Sequence, residues 1–100
     1  MWVKVAQTGE IPAGKTKVVE ARGQRLALSN VEGKFYAVQD LCTHDNGPLG
    51  EGELVGEEIE CPRHGARFNV KTGAAVTLPA VIPVKTFPVK VSGDEVLVEI

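Results

Sequence analysis

All the cysteines and histidines of this 100-residue chain lie in two short segments, which together restrict how it can fold. One residue separates Cys42 from His44, two residues separate Cys61 from His64, and sixteen residues lie between the two pairs. If such closely spaced side chains bind neighbouring metal ions, the backbone must turn sharply at each pair. The sequence therefore predicts two tight loops that meet at one metal centre.

Three chemistries are open to this set of side chains. A disulfide between Cys42 and Cys61 would leave the two histidines without a purpose, and structural disulfides are rare in the cytosol. A zinc site is possible, but zinc motifs usually group the cysteines together and the histidines together. The mixed pairs favour a binuclear iron–sulfur centre, in which one iron takes both cysteines and the other takes both histidines. Zinc and the disulfide remain alternatives.

The rest of the chain is typical of an all-β protein. Apolar and polar residues alternate in strand-length runs, and three sequences between runs are typical of hairpin turns. Eleven glycines and six prolines argue against long helices. We predict an antiparallel β-sandwich or barrel-like fold, with a smaller cluster-binding subdomain at about residues 40–83 inserted between strands. The predicted strands include 2–5, 25–28, 34–38, 89–91 and 95–100, and the predicted turns are 21–24, 31–34 and 92–94.

Length and composition exclude several classes of function. From a length of one hundred residues we expect a single domain, without a second catalytic module. We find no secretory signal and no apolar run long enough for a membrane helix, so a cytoplasmic monomer is expected. The sequence shows no nucleophile paired with a base, so we do not expect an enzyme. The acidic pI of about 5.6 argues against nucleic-acid binding.

The residues around both pairs resemble the cluster-binding loops of Rieske proteins. The two segments read CTHDNGPLGEG from Cys42 and CPRHGARFNVKTG from Cys61. Among Rieske proteins, the chain is most similar to the small ferredoxins of bacterial aromatic-ring-hydroxylating dioxygenase systems. The resemblance implies one [2Fe-2S] cluster per chain, held by Cys42, His44, Cys61 and His64. It also implies a cluster shell comprising Leu49, Gly47, Gly65, Ala66 and, in a third loop at residues 78–83, Pro79.

The same resemblance predicts a low reduction potential. Respiratory Rieske proteins carry an extra cysteine in each loop, where this chain has Gly47 and Arg63. They also place serine and tyrosine hydroxyls near the cluster, where this chain has Ala66 and Phe68. Each missing hydrogen-bond donor leaves the reduced cluster less stabilised. We therefore expect a potential on the order of −150 mV, near the low end of the Rieske range.

The function implied is that of a one-electron carrier. Electrons would come from an NAD(P)H-dependent, flavin-containing ferredoxin reductase and pass to the terminal oxygenase of an aromatic-ring dioxygenase or related system. One alternative is the small Rieske-like subunit of an assimilatory nitrite reductase. A zinc-stabilised interaction module without redox function is a second alternative.

Acidic residues are concentrated around the predicted cluster loops. Residues 35–62 contain seven acidic and no basic side chains, whereas the rest of the chain has eleven basic and six acidic ones. Such a segment could steer the domain onto a basic partner surface. We therefore expect a charge-guided docking role for this segment.

Overall fold

The computed structural model describes residues 1–43, 46–63 and 65–100, and nearly all of its regular structure is β. The only helix in this part of the chain is a single 3-10 turn, Thr8–Glu10. The predicted all-β, antiparallel fold is confirmed. The strands are β1 (Trp2–Gln7), β2 (Thr16–Ala21), β3 (Gln24–Val31), β4 (Lys34–Gln39), β5 (Leu54–Val55), β6 (Glu58–Glu60), β7 (Arg67–Asn69), β8 (Ala75–Thr77), β9 (Thr86–Phe87), β10 (Val89–Ser92) and β11 (Glu95–Glu99).

The central sheet has the strand order β2-β3-β4-β9. Two of the predicted turns connect β2 to β3 and β3 to β4. Their central residues, Arg22-Gly23 and Glu32-Gly33, all have positive φ angles, between 50° and 91°. Paired positive φ angles define the type I′ turn, whose twist matches that of the strands it joins. The turn signals in the sequence were therefore correct.

A three-stranded sheet, ordered β1-β11-β10, lies on one side of the central sheet and brings the two ends of the chain together. The Ile100 amide donates to the Met1 carbonyl at 2.9 Å, and the Met1 amino group donates to the Ile100 carbonyl at 3.3 Å. The predicted turn at residues 92–94 connects β10 to β11, with Gly93 at a φ of 63°.

The third sheet, ordered β5-β6-β7-β8, carries the segments of interest. In the sequence it lies wholly between β4 and β9, and these two strands are neighbours in the central sheet, with Ala37 opposite Phe87 and Val38 opposite Thr86. The chain thus leaves the central sheet after Gln39, builds the third sheet and its loops, and returns beside the strand it left. Residues 40–85 are an insertion between two adjacent strands.

Two hydrophobic clusters fill the spaces on either side of the central sheet. Leu26, Leu28 and Ala37 pack toward the three-stranded sheet, whereas Ala27 and Val38 pack toward the insertion. Successive side chains of a strand point to opposite faces of its sheet. Where both faces are covered, consecutive residues of the strand can therefore all be buried. Residues 26–30 of β3 are accordingly all buried.

Two phenylalanines add bulk to these two clusters. Phe68, on β7 within the insertion, is fully buried, and Phe87 is 7% exposed on the opposite face of the central sheet. Within the described ranges, no helix has the length and hydropathy needed to span a membrane.

Candidate metal centre

Both cysteines are buried at the points where the insertion approaches the central sheet. Cys42 is 0% exposed and Cys61 is 1% exposed, and both belong to one hydrophobic cluster. Both lie in the described part of the chain, and no disulfide joins them. The structure thus gives no support to the disulfide alternative.

Cys42 begins a tight loop closed by two backbone hydrogen bonds. The Cys42 amide donates to the Gly47 carbonyl at 2.8 Å, and the Asn46 amide donates back to the Cys42 carbonyl at 2.8 Å. Asn46 has a φ of 62°. Positive φ is uncommon outside glycine, and asparagine is one of the few residues that tolerate it.

Cys61 begins a second loop with the same hydrogen bonds. The Cys61 amide donates to the Ala66 carbonyl at 2.6 Å, and the Gly65 amide donates to the Cys61 carbonyl at 3.1 Å. Gly65 has a φ of 75° and occupies the position that Asn46 has in the first loop. We call these segments loop 1 (residues 42–47) and loop 2 (residues 61–66). In both loops the amide of the first residue donates to the carbonyl of the sixth, and the amide of the fifth residue donates to the carbonyl of the first.

Each loop contains one histidine in sequence, His44 in loop 1 and His64 in loop 2. Both histidines lie outside the described residues, so their predicted role as ligands stays a prediction. Within residues 1–43, 46–63 and 65–100, no group of three or more histidine, cysteine or carboxylate side chains could hold a metal ion.

Most of the predicted cluster shell lies around the two cysteines. Leu49 and Ala66 are fully buried and share a hydrophobic cluster with Cys42 and Cys61. Gly47 is also buried, and Gly65 is partly buried. Two thiols in an apolar cluster, each at the start of a tight loop, fit an iron–sulfur cluster, because soft thiolate ligands select such metals.

A third loop, residues 78–83, approaches loop 1. The Thr43 hydroxyl donates to the Ile82 carbonyl at 2.6 Å, which joins the two segments. Ala80 is buried in the same cluster as the cysteines, and Pro79 is partly buried. Three apolar side chains of this loop face outward instead, and we call them the apolar rim: Leu78 is 74% exposed, Val81 72% and Ile82 60%.

Basic residues from elsewhere in the chain pair with part of the acidic segment. Among the residues that the structure describes, four carboxylates of the segment form ion pairs with side chains outside residues 35–62. These basic partners partly neutralise the surface formed by the segment, so its net negative charge is smaller than the sequence suggests. The docking role of the segment stays a prediction. The pairs are Arg25–Asp40 at 3.4 Å, Lys71–Glu57 at 3.0 Å, Arg67–Glu58 at 3.9 Å and Arg67–Glu60 at 3.2 Å.

The Glu57–Lys71 pair changes the titration of both groups. The Lys71 ammonium, together with the Asn69 amide that donates to the same carboxylate, lowers the Glu57 pKa below its ordinary value of 4.5. In turn, the hydrogen bond to Glu57 raises the Lys71 pKa above 10.5. The pair therefore favours the charged form of both side chains. Because both are exposed, we expect little effect on stability.

Sequence analysis missed two residues that hold the backbone in or next to loop 1. It counted Asp40 only as a negative charge, although Asp40 lies two residues before the first cysteine and its side chain is buried. It gave Asn46 no role, although Asn46 closes loop 1 as Gly65 closes loop 2. Asn46 stands four residues after its cysteine, as Gly65 does. That shared offset is the signal that could have identified it.

Comparison with known proteins agrees with this geometry. The family model for the Rieske [2Fe-2S] domain matches residues 1–88. The chain is 42% identical to the ferredoxin component of the naphthalene 1,2-dioxygenase system of Pseudomonas aeruginosa, over 99% of this chain and 95% of that protein.

Solved structures show the same fold. A chain in the complex of reduced oxygenase and oxidized ferredoxin of carbazole 1,9a-dioxygenase is 41% identical with a TM-score of 0.92, covering 97% of this chain and 91% of that one. The ferredoxin of carbazole 1,9a-dioxygenase from Nocardioides aromaticivorans IC177 is 36% identical with a TM-score of 0.94, covering 98% and 96% respectively. This chain belongs to the Rieske [2Fe-2S] domain family, and its cofactor is a [2Fe-2S] cluster.

Proposed function

We propose that this protein is a low-potential, one-electron carrier that passes electrons to a terminal oxygenase. The observation that carries the proposal is the pair of equivalent loops, each beginning at a buried cysteine of the same apolar cluster. Relatives of nearly the same length are named as ferredoxin components of dioxygenase systems, which favours this function over a nitrite reductase subunit. We further propose an NAD(P)H-dependent, flavin-containing reductase as the electron donor.

We propose that Cys42 and Cys61 bind one iron of the cluster and that His44 and His64 bind the other. When bound, the cluster takes up and releases one electron. The surrounding protein excludes water from the thiolates, since both cysteines are buried. The close packing of Leu49 and Ala66 in the same cluster supports their role in the shell. The full proposed shell is Leu49, Gly47, Gly65, Ala66 and Pro79.

The chain is proposed to form a single cytoplasmic, monomeric Rieske domain with its cluster-binding subdomain at about residues 40–83. The insertion between β4 and β9 supports this division, because all the strands of the third sheet lie inside it. The apolar rim supports docking of a partner near the cluster. Transient electron-transfer complexes are small, so a few exposed apolar side chains can supply much of their contact.

Electron paramagnetic resonance of the reduced protein tests the ligand assignment. We expect a red-brown protein that contains iron and acid-labile sulfide and gives a Rieske-type signal. Replacement of any one proposed ligand, as in C42S, C61S, H44A or H64A, should abolish or change the signal. Ser29→Ala is a suitable control, because Ser29 is buried in β3 and bonds to Thr16. A zinc-containing, colourless protein, or an unchanged signal in H64A, would contradict the proposal.

A further inference from the structure

Asp40 is a buried carboxylate at the end of β4, two residues before Cys42. Its side chain is 1% exposed. The Leu49 amide donates to Oδ1 at 2.9 Å, and the Gly50 amide donates to the same oxygen at 2.6 Å. The other oxygen, Oδ2, lies 3.4 Å from Nε of Arg25. Both oxygens therefore have partners, as a buried carboxylate requires.

The backbone that Asp40 holds is also confined from the opposite side. A Cβ atom at Gly50 would collide with the Val18 side chain and would lie 3.1 Å from Oδ1 of Asp40. The chain at Gly50 is thus held between β2 and the Asp40 carboxylate, and only glycine fits there without a shift. Since Leu49 is the preceding residue, these contacts also fix the start of the Leu49 side chain.

Leu49 connects this contact to the metal centre. Its side chain is fully buried and belongs to the cluster that contains Cys42 and Cys61. We propose that Asp40 is a positioning residue for the [2Fe-2S] cluster: its Oδ1 atom fixes the 49–50 backbone and so keeps Leu49 packed beside the cysteines. This inference rests on the proposed binding of the cluster by Cys42 and Cys61.

The two oxygens of Asp40 allow positioning to be separated from charge. Asp40→Asn keeps an oxygen that can accept from both backbone amides but loses the negative charge. Arg25→Gln removes the ion pair and leaves Oδ1 and its two hydrogen bonds in place. Asp40→Ala removes both the two hydrogen bonds and the ion pair. If Asp40 acts by positioning the backbone, the cluster should be held equally well in D40N and R25Q and less well in D40A.

Asn30→Ala is a matched control for general loss of stability. Asn30 is also a nearly buried polar side chain with two backbone partners, the Ile11 carbonyl and the Gly33 amide, each at 2.8 Å. Asn30 pairs with Phe35 at the far end of β3, whereas Leu26 pairs with Gln39 beside Asp40. Asn30 and Leu26 are four residues apart on β3, which corresponds to about 13 Å of strand. The control site is therefore well separated from Asp40.

The test uses the cluster-loaded protein and three measurements: the paramagnetic resonance spectrum, the rate of cluster loss and amide hydrogen exchange at residues 49–50. D40A is expected to shift the g-values, accelerate cluster loss several-fold and lose protection at 49–50. D40N, R25Q and N30A should keep the wild-type g-values and protection. The rates should be compared at equal intervals below each variant's melting temperature.

The same measurements can also contradict the positioning role of Asp40. If D40A loses stability but keeps the wild-type spectrum and rate of cluster loss, as expected for N30A, Asp40 is only structural and the inference is overturned. If D40A does not retain a cluster, D40N decides, because loss of protection at 49–50 with Oδ1 still present would contradict the proposal. C42S tests the ligand assignment separately from the role of Asp40. An unchanged paramagnetic resonance signal in C42S would contradict the assignment of Cys42 as a ligand.

Discussion

Ala66 and Phe68, which follow Cys61, have no hydroxyl that could bond to the cluster. Ala66 and Phe68 are both fully buried in the cluster of side chains around the cysteines. The Ala66 carbonyl accepts the Cys61 amide at 2.6 Å, which places residue 66 beside the proposed ligand. Hydrogen bonds to the sulfurs stabilise the reduced, more negative cluster and raise its potential. The lack of a hydroxyl at residues 66 and 68 is the physical reason to expect a low potential.

Ala66→Ser should therefore raise the reduction potential. One added hydrogen bond of about 1 kcal/mol that favours the reduced state corresponds to roughly 40 mV for a one-electron couple. A potentiometric titration of both proteins measures the shift. Ala21→Ser is the control, because Ala21 is buried in the other hydrophobic cluster and its replacement should leave the potential unchanged. An equal or lower potential in A66S would show that no new bond to the cluster forms.

At the level of elements, the segments that flank loops 1 and 2 pack closely through their backbones. A Cβ atom at Gly52 would collide with the Glu60 carbonyl, which immediately precedes Cys61. The Gly52 amide also donates to the Leu49 carbonyl at 3.0 Å. The segment that follows loop 1 thus rests directly on the strand that leads into loop 2. This contact leaves no space for a side chain between the two segments.

Gly52→Ala should separate these segments and destabilise the protein. Overpacking of this kind typically costs 1–3 kcal/mol, so we expect a loss of about 2 kcal/mol and faster loss of the cluster. Denaturant unfolding of the cluster-loaded protein measures the first effect. Gly9→Ala is the matched control, because a Cβ atom there would have no neighbour within 4 Å. Equal stability of the two variants would show that the backbone adjusts without cost.

The sequence predicted some elements well because their signals are local. Arg22-Gly23 and Glu32-Gly33 form the expected turns, since each pair can adopt the backbone that a type I′ turn demands. The strands β5 to β8 were not predicted. They contain two or three residues each, too few for alternation to show, and they form through pairing with one another.

The metal centre, like the strands, was predicted only where its signals are local in the sequence. The positions of the cysteines, glycines and Leu49 followed from spacing and resemblance, because ligand offsets are visible in the chain itself. The role of Asp40 was not visible, since its partners, Leu49 and Gly50, lie nine and ten residues away. Such contacts depend on how the backbone folds back, which no local pattern specifies.

At the scale of the whole molecule, the apolar rim adds an exposed hydrophobic surface next to loop 1. Leu78, Val81 and Ile82 are each at least 60% exposed, in a loop bonded to Thr43 beside Cys42. Exposed apolar side chains that gather beside a functional site often mark a surface where another protein binds. We therefore expect the rim to take part in bringing a partner close to the cluster.

A triple variant, Leu78→Ser, Val81→Ser and Ile82→Ser, should slow electron transfer to the terminal oxygenase. We expect a fall of about tenfold in the second-order rate, equivalent to about 1.4 kcal/mol of lost contact. Stopped-flow oxidation of the reduced protein measures the rate, and the reduction potential should not change. Val91→Ser is the control, because Val91 is 48% exposed on β10, outside the insertion. An unchanged rate in the triple variant would exclude the rim from docking.

The insertion between β4 and β9 also has a consequence for evolution. Both of its ends are fixed by one pair of hydrogen-bonded strands, with the Gln39 amide donating to the Lys85 carbonyl at 2.8 Å. Residues can be gained or lost between these two points without changing the register of any strand in the other two sheets. The length and sequence of the metal-binding part can therefore diverge among relatives while the supporting sheets remain the same.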